Sequence, residues 1–314
     1  MSWFSVGVPV LLQLLVPLGL LAAVVKARFA SRATFVGMTI LAAAYIVAIH
    51  RAGLWLVLPW FTPFAYAAAL LTVVLTTQTR WRAAPWLPAT RSAQVLSIAI
   101  GAAGLMLITL AAVVWSARDS SGDIVDLALP FEDGEYLVVN GGNHVMVNAH
   151  LATLDANRFA SYRGQSYGID LVRIDFLGLR AQGLLPADPA AYRTFDQPVL
   201  APCAGRVVAA VDGFPDMPPP QADRTHMAGN HVIVECQQAW VVLGHLRRDS
   251  VEARVGSWLR AGERVGRAGN SGNTGEPHLH MHAQRPGTED APLGGTPLPI
   301  RVAGRFPIRN DRLP

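Results

Sequence analysis

The first third of this 314-residue sequence contains no acidic side chain, since the first Asp or Glu is Asp119. Eight of the 26 basic residues lie within residues 1–118, so the remainder holds 18 basic and 22 acidic residues. The net positive charge of the whole chain therefore belongs to its apolar N-terminal part. Because the C-terminal part has no basic excess, a nucleic-acid partner is not expected.

Four long segments of the N-terminal part lack any charged residue. They cover residues 1–25, 33–50, 52–79 and 92–117. About 20 apolar residues at about 1.5 Å each span a bilayer core. The pattern predicts an all-α transmembrane region over residues 1–117, with the lipid bilayer as its partner. Its four helices are expected at about 4–25, 33–50, 53–76 and 94–116.

A cleaved signal peptide is the alternative for the first apolar segment. Residues 1–25 have no Lys or Arg before their apolar core, and three further apolar segments follow them. Both features disfavour a signal peptide and favour a helix that stays in the membrane.

The basic residues of the loops predict which side of the membrane each loop faces. The first loop carries Lys26, Arg28 and Arg32 and the third carries Arg80, Arg82 and Arg91, whereas the second has only Arg51. Because cytoplasmic loops are enriched in Lys and Arg, the first and third loops are expected in the cytoplasm. The N-terminus is then outside. So is everything after the fourth helix, namely a linker over residues 118–130 and a domain over residues 131–314.

The C-terminal part lacks the 3.6-residue periodicity of a long helix after Asp123. It contains short β-type segments bounded by Gly, Pro, Asn and Asp, such as "GRVVAAVDG", "NHVIVEC" and "AWVVLGHL". This pattern predicts an all-β domain. The two cysteines, Cys203 and Cys236, are expected to form a disulfide outside the cytoplasm; free, buried thiols on two strands are the alternative.

Three histidines alternate in the segment "PHLHMHA". Successive side chains of a strand point to opposite faces, so His278, His280 and His282 share one face. Imidazoles grouped in this way suit a metal ion better than an apolar core. Since a strand approaches a metal from one side only, further ligands are expected from elsewhere in the domain.

These segments resemble the lysostaphin-type, or LytM-like, zinc metallopeptidases, which cut peptide cross-links in bacterial peptidoglycan. The family's H-x-H after a Gly/Asn-rich turn stands here as "GNSGNTGEPHLHMH", and "VLAPCAGRVVAAVDG", "GNHVIVE" and "LGHL" fit its strand and turn pattern. The resemblance covers about residues 128–284. It implies a duplicated hybrid β motif, one zinc ion per chain and peptidoglycan peptides as the substrate.

The resemblance also implies roles for individual residues. His280, the second histidine of H-x-H, would bind zinc, and His278, the first, would be catalytic without binding it. His245 in "LGHL" matches the other catalytic histidine, and Asp170 in "YGIDL" matches the aspartate ligand. The structural alternatives are a hydrogen-bonded rim histidine for His245 and an edge acid for Asp170. His282 is expected either to orient a neighbouring ligand or to face water.

The sequence departs from the common family pattern at the first ligand. That pattern has His four residues before the aspartate, where this chain has Ser166. One branch of the family has N-x-H well upstream of Q-x-Y-x-x-D, and here "VNAH" ends at His150 and "GQSYGID" ends at Asp170. His150 is therefore expected as the ligand, with His144 as the alternative, because the intervening loop closes at modest entropic cost.

The predicted function is that of a membrane-anchored zinc metalloendopeptidase that hydrolyses peptidoglycan stem or cross-link peptides with a zinc-activated water. It is expected in the bacterial inner membrane as a multi-pass protein, with its C-terminal domain in the periplasm or another extracytoplasmic space. Anchoring one catalytic domain does not require four helices, so a membrane or cell-wall protein partner is also considered. Two alternatives stay open. One is a catalytically silent LytM-like regulator or sensor of wall hydrolysis, and the other is a phosphocarrier domain of similar architecture, which would face the cytoplasm.

Overall fold

The computed structural model describes residues 4–26, 31–118 and 122–314. Arg28 of the first predicted loop and residues 119–121 of the predicted linker lie outside the described residues. The chain divides by its internal contacts into two compact units. A helical unit comprises the described residues up to Gly53 together with Leu58–Ser116, and a sheet unit comprises Leu54–Val57 together with the described residues from Ala117 onward.

The helical unit consists of apolar helices in chain order. They are α1 (Phe4–Pro9), a π-helical turn (Val10–Leu15), α2 (Val16–Lys26), α3 (Arg32–Ala52), α4 (Thr62–Thr76), α5 (Gln78–Ala83) and α6 (Arg91–Ser116). Three segments of the described residues are long and apolar enough to cross a membrane: Gly7–Lys26, Arg32–Ala52 and Arg91–Ser116. The sequence predicts four such spans. The helix expected over 53–76 is the shorter α4, which begins only at Thr62.

Two prolines explain the late start of α4. Pro59 has no N–H to donate to a preceding turn and precedes the helix, whereas Pro63 lies in its first turn. At that position the missing N–H costs nothing, because the first N–H groups of a helix have no intrahelical partner. The residues from Gly53 to Phe61 are therefore left out of the helix that the charge-free segment predicts.

The sheet unit is built on antiparallel strands. Its strands are β1 (Val125–Leu127), β2 (Tyr136–Asn140), β3 (Ile169–Arg173), β4 (Pro198–Leu200), β5 (Gly205–Val211), β6 (Asn230–Cys236), β7 (Ala239–Leu246), β8 (Trp258–Leu259), β9 (Arg264–Arg267), β10 (Leu279–Gln284), β11 (Pro297–Leu298), β12 (Ile300–Val302) and β13 (Arg312–Leu313). Nine of them form one sheet in the order β13-β2-β3-β10-β7-β6-β5-β8, with β11 paired to β10. β4 pairs with β9, and β1 pairs in parallel with β12.

The large sheet has one apolar face and one polar face along β3 and β10. Leu171, Leu279 and Met281 point into the main hydrophobic core and are fully buried. The alternate residues Asp170 and His280 therefore lie on the opposite face. This alternation is what separates the packed core from the candidate site.

Among the described residues from 122 to 314, the regular elements are strands and short 3-10 helices. The C-terminal part is thus sheet-rich as expected, whereas the internal duplication stays a prediction. The segment predicted as a linker, 118–130, contains β1. Leu54–Val57, inside the region predicted as transmembrane, groups with the sheet unit.

Candidate metal centre and catalytic site

The register of β10 brings the predicted ligands of two distant segments together. His280 lies directly opposite Asp170 on β3 and opposite Gly244 on β7. Directly opposed residues of an antiparallel pair share a face, with Cβ atoms about 5 Å apart. His280 and Asp170 are therefore neighbours because of strand pairing, although 110 positions separate them in the chain.

The three residues expected as metal ligands converge on one point. Nδ1 of His280 lies 2.9 Å and Nε2 of His150 lies 3.5 Å from Oδ1 of Asp170. One ligating atom from each residue falls within 4.8 Å of the others. Two imidazole nitrogens and one carboxylate oxygen are a donor set typical of catalytic zinc sites.

His150 reaches this point from a short helical turn that is capped by its own motif. The side chain of Asn148 accepts hydrogen bonds from the backbone N–H of His150 and from Nδ1 of its ring, at 3.1 and 3.0 Å. Asn148 is buried and donates to the carbonyls of Gly142 and Gly168. Because Nδ1 is occupied by Asn148, Nε2 is the nitrogen that faces Asp170.

Ser166 stands at the family's usual first-ligand position, and His144 is the alternative to His150. Ser166 is fully buried, donates to the carbonyl of Arg163 and shares a hydrogen bond with Thr153, whose hydroxyl in turn donates to the carbonyl of His150. Ser166 thus braces the turn that carries His150. His144 accepts a hydrogen bond from the backbone N–H of Met146 and does not belong to the cluster of ligating atoms.

The nitrogen of His280 that faces away from Asp170 enters a buried chain of hydrogen bonds. Nε2 of His280 lies 2.9 Å from Nδ1 of His282, and Nε2 of His282 lies 3.4 Å from Oε1 of Gln284. Gln284 donates its amide to the carbonyl of Pro292 and so presents Oε1 as an acceptor to His282. His282 then donates to Gln284 and accepts from His280. This leaves Nδ1 of His280 as the nitrogen available to a metal.

His245 is aimed at the site by an irregularity in β7. Between Asn230 and Val232 the pairing of β6 with β7 shifts register, and His245 has a φ of 61°, in the left-handed region. Gly244 faces His280, so a regular strand would turn His245 to the opposite face. The bulge instead brings the rings of His245 and His280 to a centroid distance of 5.9 Å.

His278 and His245 lie beside the ligands with one nitrogen each held by a carbonyl. Nδ1 of His278 is 2.9 Å from the carbonyl oxygen of Glu276, and Nδ1 of His245 is 2.8 Å from that of Ser271. Nε2 of His278 is 3.5 Å from Oδ1 of Asp170. The two rings are 4.8 Å apart. Both histidines therefore have Nε2 available for proton transfer next to the metal position.

Burial and charge set the protonation of the site in opposite directions. Burial, with the nearby His280 and His278, lowers the pKa of His150 to about 4 despite the attraction of Asp170. Burial also lowers the pKa of His245 and of His282 well below the ordinary value. For His278 burial alone would lower the pKa, but the Asp170 carboxylate raises it above 6.5.

Asp170 is held ionised by its surroundings. Burial alone would raise its pKa, but the neighbouring imidazoles of His150 and His278 hold the pKa well below the usual value. Its second oxygen, Oδ2, accepts a hydrogen bond of 2.7 Å from the amide of Asn140 on β2. A carboxylate fixed in this way is oriented before a metal binds.

Sequence reasoning assigned no role to several residues that hold the site, namely Asn140, Asn148, Gln284 and Glu276. Two of them carried a readable signal, since Asn148 is the first residue of the N-x-H pattern and Gln284 continues the every-second-residue pattern of the three histidines. The other predicted feature of this unit, the disulfide between Cys203 and Cys236, is present with the two Cα atoms 6.0 Å apart.

Comparisons with known proteins show what part of this unit is similar to. Residues 190–292 match the sequence model described as Peptidase family M23. The matched stretch contains His245, His278 and His280 but begins after His150 and Asp170. No curated protein sequence matches the chain.

Solved structures that match the chain include three peptidases. The catalytic domain of lysostaphin from Staphylococcus simulans is 19% identical, over 40% of this chain and 71% of that chain, with a TM-score of 0.26. A catalytic-domain variant of the prophage-encoded M23 protein EnpA from Enterococcus faecalis is 21% identical, over 41% and 71%, with a TM-score of 0.27. A zinc-containing peptidase from Vibrio cholerae is 18% identical, over 37% and 46%, with a TM-score of 0.22.

Proposed function

We propose, from the premise that residues 190–292 form a domain of Peptidase family M23, that this protein is a membrane-anchored zinc metalloendopeptidase acting on peptidoglycan peptides. The observation that carries the proposal is the convergence of His150, Asp170 and His280 on one point. Two further histidines, His245 and His278, stand beside that point without belonging to the cluster. A ligand set with adjacent proton-transfer groups is what metal-assisted peptide hydrolysis requires.

The residues present fit a zinc ion in number, in donor type and in orientation. Asn148 and His282 occupy the remote nitrogens of His150 and His280, so both imidazoles can offer their other nitrogen to the ion. Three protein ligands leave a fourth position for water or substrate. Bound there, zinc supplies a Lewis acid that polarises a peptide carbonyl and lowers the pKa of water to about 7.

The protein's own side chains would carry the protons of the reaction. His278, whose Nε2 faces Asp170, is assigned as the base that takes a proton from the attacking water and later passes it to the amine leaving group. His245 is assigned to stabilise the oxygen that develops negative charge. Because Nδ1–H is donated to the Ser271 carbonyl, this role requires a second proton on Nε2, which burial disfavours in the metal-free site and the developing charge would favour. The carbonyls of Glu276 and Ser271 keep both rings in the required orientation.

The apolar helices support a location at a membrane. Within the part of the chain that the structure describes, three segments are long and apolar enough to cross one, and many large apolar side chains on them are exposed. With α4 counted as a fourth crossing, the positive charges of the first and third loops favour an extracytoplasmic C-terminal unit in the periplasm or beyond. There the site would be within reach of the cell wall.

The test is digestion of purified peptidoglycan with the full chain in detergent, followed by mass spectrometry of the released fragments. We expect new peptide termini and about one zinc ion per chain, and an Asp170→Ala variant should lose both. A zinc-loaded protein that creates no new termini would favour a silent regulator of wall hydrolysis instead. A C-terminal reporter active only in the cytoplasm would favour the phosphocarrier alternative.

A further inference from the structure

The segment Leu54–Val57, which joins α3 to α4 along the chain, is part of the sheet unit. We call these four residues the strap. Leu56 is 2% exposed and packs with Leu137 on β2 and with Val172 and Ile174 at the end of β3. Leu54 and Val57 pack around the same cluster. A piece of the region predicted to span the membrane is therefore built into the sheet unit.

The strap covers the same face of the sheet that carries the candidate site. Leu137 and Val172 are directly opposed in the pairing of β2 with β3, and Val172 lies two residues from Asp170. Residues two apart in a strand share a face. The strap thus packs beside the metal position rather than against the main core.

A buried arginine connects the strap to the site. Nη1 of Arg180 donates to the carbonyl of Leu56 at 3.4 Å, and Nε donates to both carboxylate oxygens of Glu276 at 3.0 and 2.8 Å. Nη2 donates to the carbonyl of Leu184. All three nitrogens of this guanidinium are engaged, and the residue is 4% exposed. Removing a partner from a buried charge is strongly unfavourable, so the arrangement holds Glu276 and the strap together.

Glu276 is the residue that orients His278. Its carbonyl oxygen accepts from Nδ1 of His278 at 2.9 Å and from the hydroxyl of Thr274 at 2.8 Å. The following residue is Pro277, which restricts the backbone of Glu276 to extended conformations. The ion pair to Arg180 fixes the side chain of the same residue. Displacing Glu276 would therefore release the nitrogen that decides where Nε2 of His278 points.

We propose that Arg180 is a positioning residue for His278 and that the strap, through its hold on Arg180, makes the geometry of His278 depend on the segment between α3 and α4. As far as it concerns turnover, this inference rests on the proposed peptidase function. Withdrawing the strap would disorient His278 while leaving His150, Asp170 and His280 able to bind zinc. Two helices of a membrane region would thereby regulate the reaction without touching the metal.

The experiment uses the full zinc-loaded chain in detergent and three variants: Arg180→Met, Glu276→Gln and Leu56→Ala. Arg193→Met is the matched control, because the Arg193 side chain also pairs with an acid, Asp175, at 2.8 Å, and its other hydrogen bond goes to the carbonyl of Leu179 rather than to Glu276. Three quantities are measured for each protein. They are the zinc content, the initial rate of fragment release from purified peptidoglycan, and the imidazole N–H signal of His278 in ¹⁵N-histidine spectra, assigned with a His278→Gln variant.

We expect each of the three variants to release fragments about 10- to 100-fold more slowly, since general acid–base catalysis contributes at least that much. The zinc content should stay at the wild-type level, and the His278 signal should shift or broaden. Arg193→Met should match the wild type in all three quantities. A wild-type rate and an unmoved His278 signal in Arg180→Met would overturn the inference. Should that variant not fold, Glu276→Gln decides in the same way.

Failure of the proposed function gives a different result. If the zinc-loaded wild type releases no fragments, the peptidase proposal fails, and the His278 signal alone then decides whether Arg180 positions the ring. An unchanged signal in Glu276→Gln and in Leu56→Ala would refute the positioning role even when the reaction is absent.

Discussion

At the scale of single residues, the site is organised by the nitrogens that face away from it. Nδ1 of His150 and of His278 is held by an oxygen of Asn148 and of Glu276, and Nε2 of His280 is held by His282. A neutral imidazole has one donor and one acceptor nitrogen, so each contact selects the nitrogen offered to the metal or substrate. In ligand and catalytic histidines alike, the partner of the remote nitrogen therefore decides which nitrogen is offered to the site.

The two histidines of H-x-H are expected to respond differently to replacement by alanine. His280→Ala removes a ligating nitrogen and should abolish both stoichiometric zinc binding and activity. His278→Ala removes only a proton-transfer group, so zinc should remain while turnover falls by about 10²- to 10⁴-fold. Zinc content and peptidoglycan digestion measure the two effects. His226→Ala, on an exposed histidine that pairs with Asp223, is the control and should change neither. Equal activity in the two H-x-H variants would contradict the assignment.

The chain from His280 to Pro292 predicts an effect of a residue that touches no metal. Gln284→Leu keeps the side-chain size but removes the acceptor for His282, so the orientation of His280 is no longer fixed. Zinc affinity should fall about 10- to 100-fold, the range seen when such outer partners are lost. Competition with a chelator measures the zinc affinity. Gln221→Leu, at an exposed position between β5 and β6, is the matched control. Unchanged affinity in Gln284→Leu would show that His282 and Gln284 only fill space.

At the scale of elements, the bulge in β7 and the turn before β3 shape the site. The bulge in β7 turns His245 toward His278 and His280, as described for its positive φ. The turn before β3 contributes through the absence of a side chain at Gly168. A Cβ there would lie 2.8 Å from Cε1 of His280 and 2.9 Å from the carbonyl of Gln165. The glycine leaves room for the ligating ring.

Gly168→Ala should therefore disturb the metal site without altering any ligand. The added methyl group has to displace either the ring of His280 or the backbone of Gln165, and the ring is the freer of the two. Zinc affinity should fall about tenfold or more, as for other changes that misorient a ligand. Calorimetric titration with zinc measures the change. Gly101→Ala, where a Cβ would meet open space, should behave as the wild type. Wild-type affinity in Gly168→Ala would mean that the loop relaxes freely.

The disulfide is a second feature at this scale, because it ties the turn after β4 to the end of β6. Cys203 and Cys236 are separated by 33 positions. Breaking the link in a Cys203→Ser and Cys236→Ser double variant should lower the free energy of unfolding by about 3–4 kcal/mol, the value that loop-closure entropy gives for this spacing. The loss is measured by denaturant unfolding of the sheet unit, monitored through hydrogen exchange in β6 and β7. A loss under about 1 kcal/mol would mean that the disulfide restricts the unfolded chain little.

At the scale of the whole molecule, the buried histidines predict how stability depends on pH. His150, His245 and His282 have lowered pKa values in the folded state, so between about pH 6.5 and pH 4 the unfolded chain binds protons that the folded chain excludes. The contribution of these histidines to the free energy of unfolding is complete above about pH 6.5 and declines as the pH falls below that value. His278 acts in the opposite direction, since its raised pKa favours the folded state at lower pH.

With the pKa values of these three histidines lowered, as burial also lowers that of His231, and that of His278 raised, the metal-free protein should be less stable near pH 5 than near pH 7. The check is the free energy of unfolding of the chelator-treated protein, obtained from hydrogen exchange in β7 and β10 after correction for intrinsic exchange rates. The same measurement on His282→Gln should show a weaker pH dependence, because one of the three groups is absent. Equal or higher stability near pH 5 in the unaltered chain would contradict the predicted sign.

The sequence by itself determined the features that depend on neighbouring residues. Charge-free segments of about 20 residues predicted four spans, and three segments of the described residues are long and apolar enough to be spans. The alternation of the three histidines predicted a shared strand face; His280 and His282 lie on β10, whereas His278 immediately precedes it. The H-x-H and Y-x-x-D patterns pointed to Asp170 and His280, since strand pairing then had only to bring two local motifs together. These inferences rest on period, length and motif spacing, which are local properties of the chain.

Only the tertiary structure decided how distant segments meet. It set the approach of His150 through the capped turn at Asn148, the bulge that aims His245, and the end of the hydrogen-bond chain at Gln284. It also placed Leu54–Val57 in the sheet unit, although the charge pattern assigned those residues to a helix. Each outcome depends on which backbone and side-chain groups pack across long separations, and that information lies in the pairing of strands and the filling of buried space rather than in any one stretch of sequence.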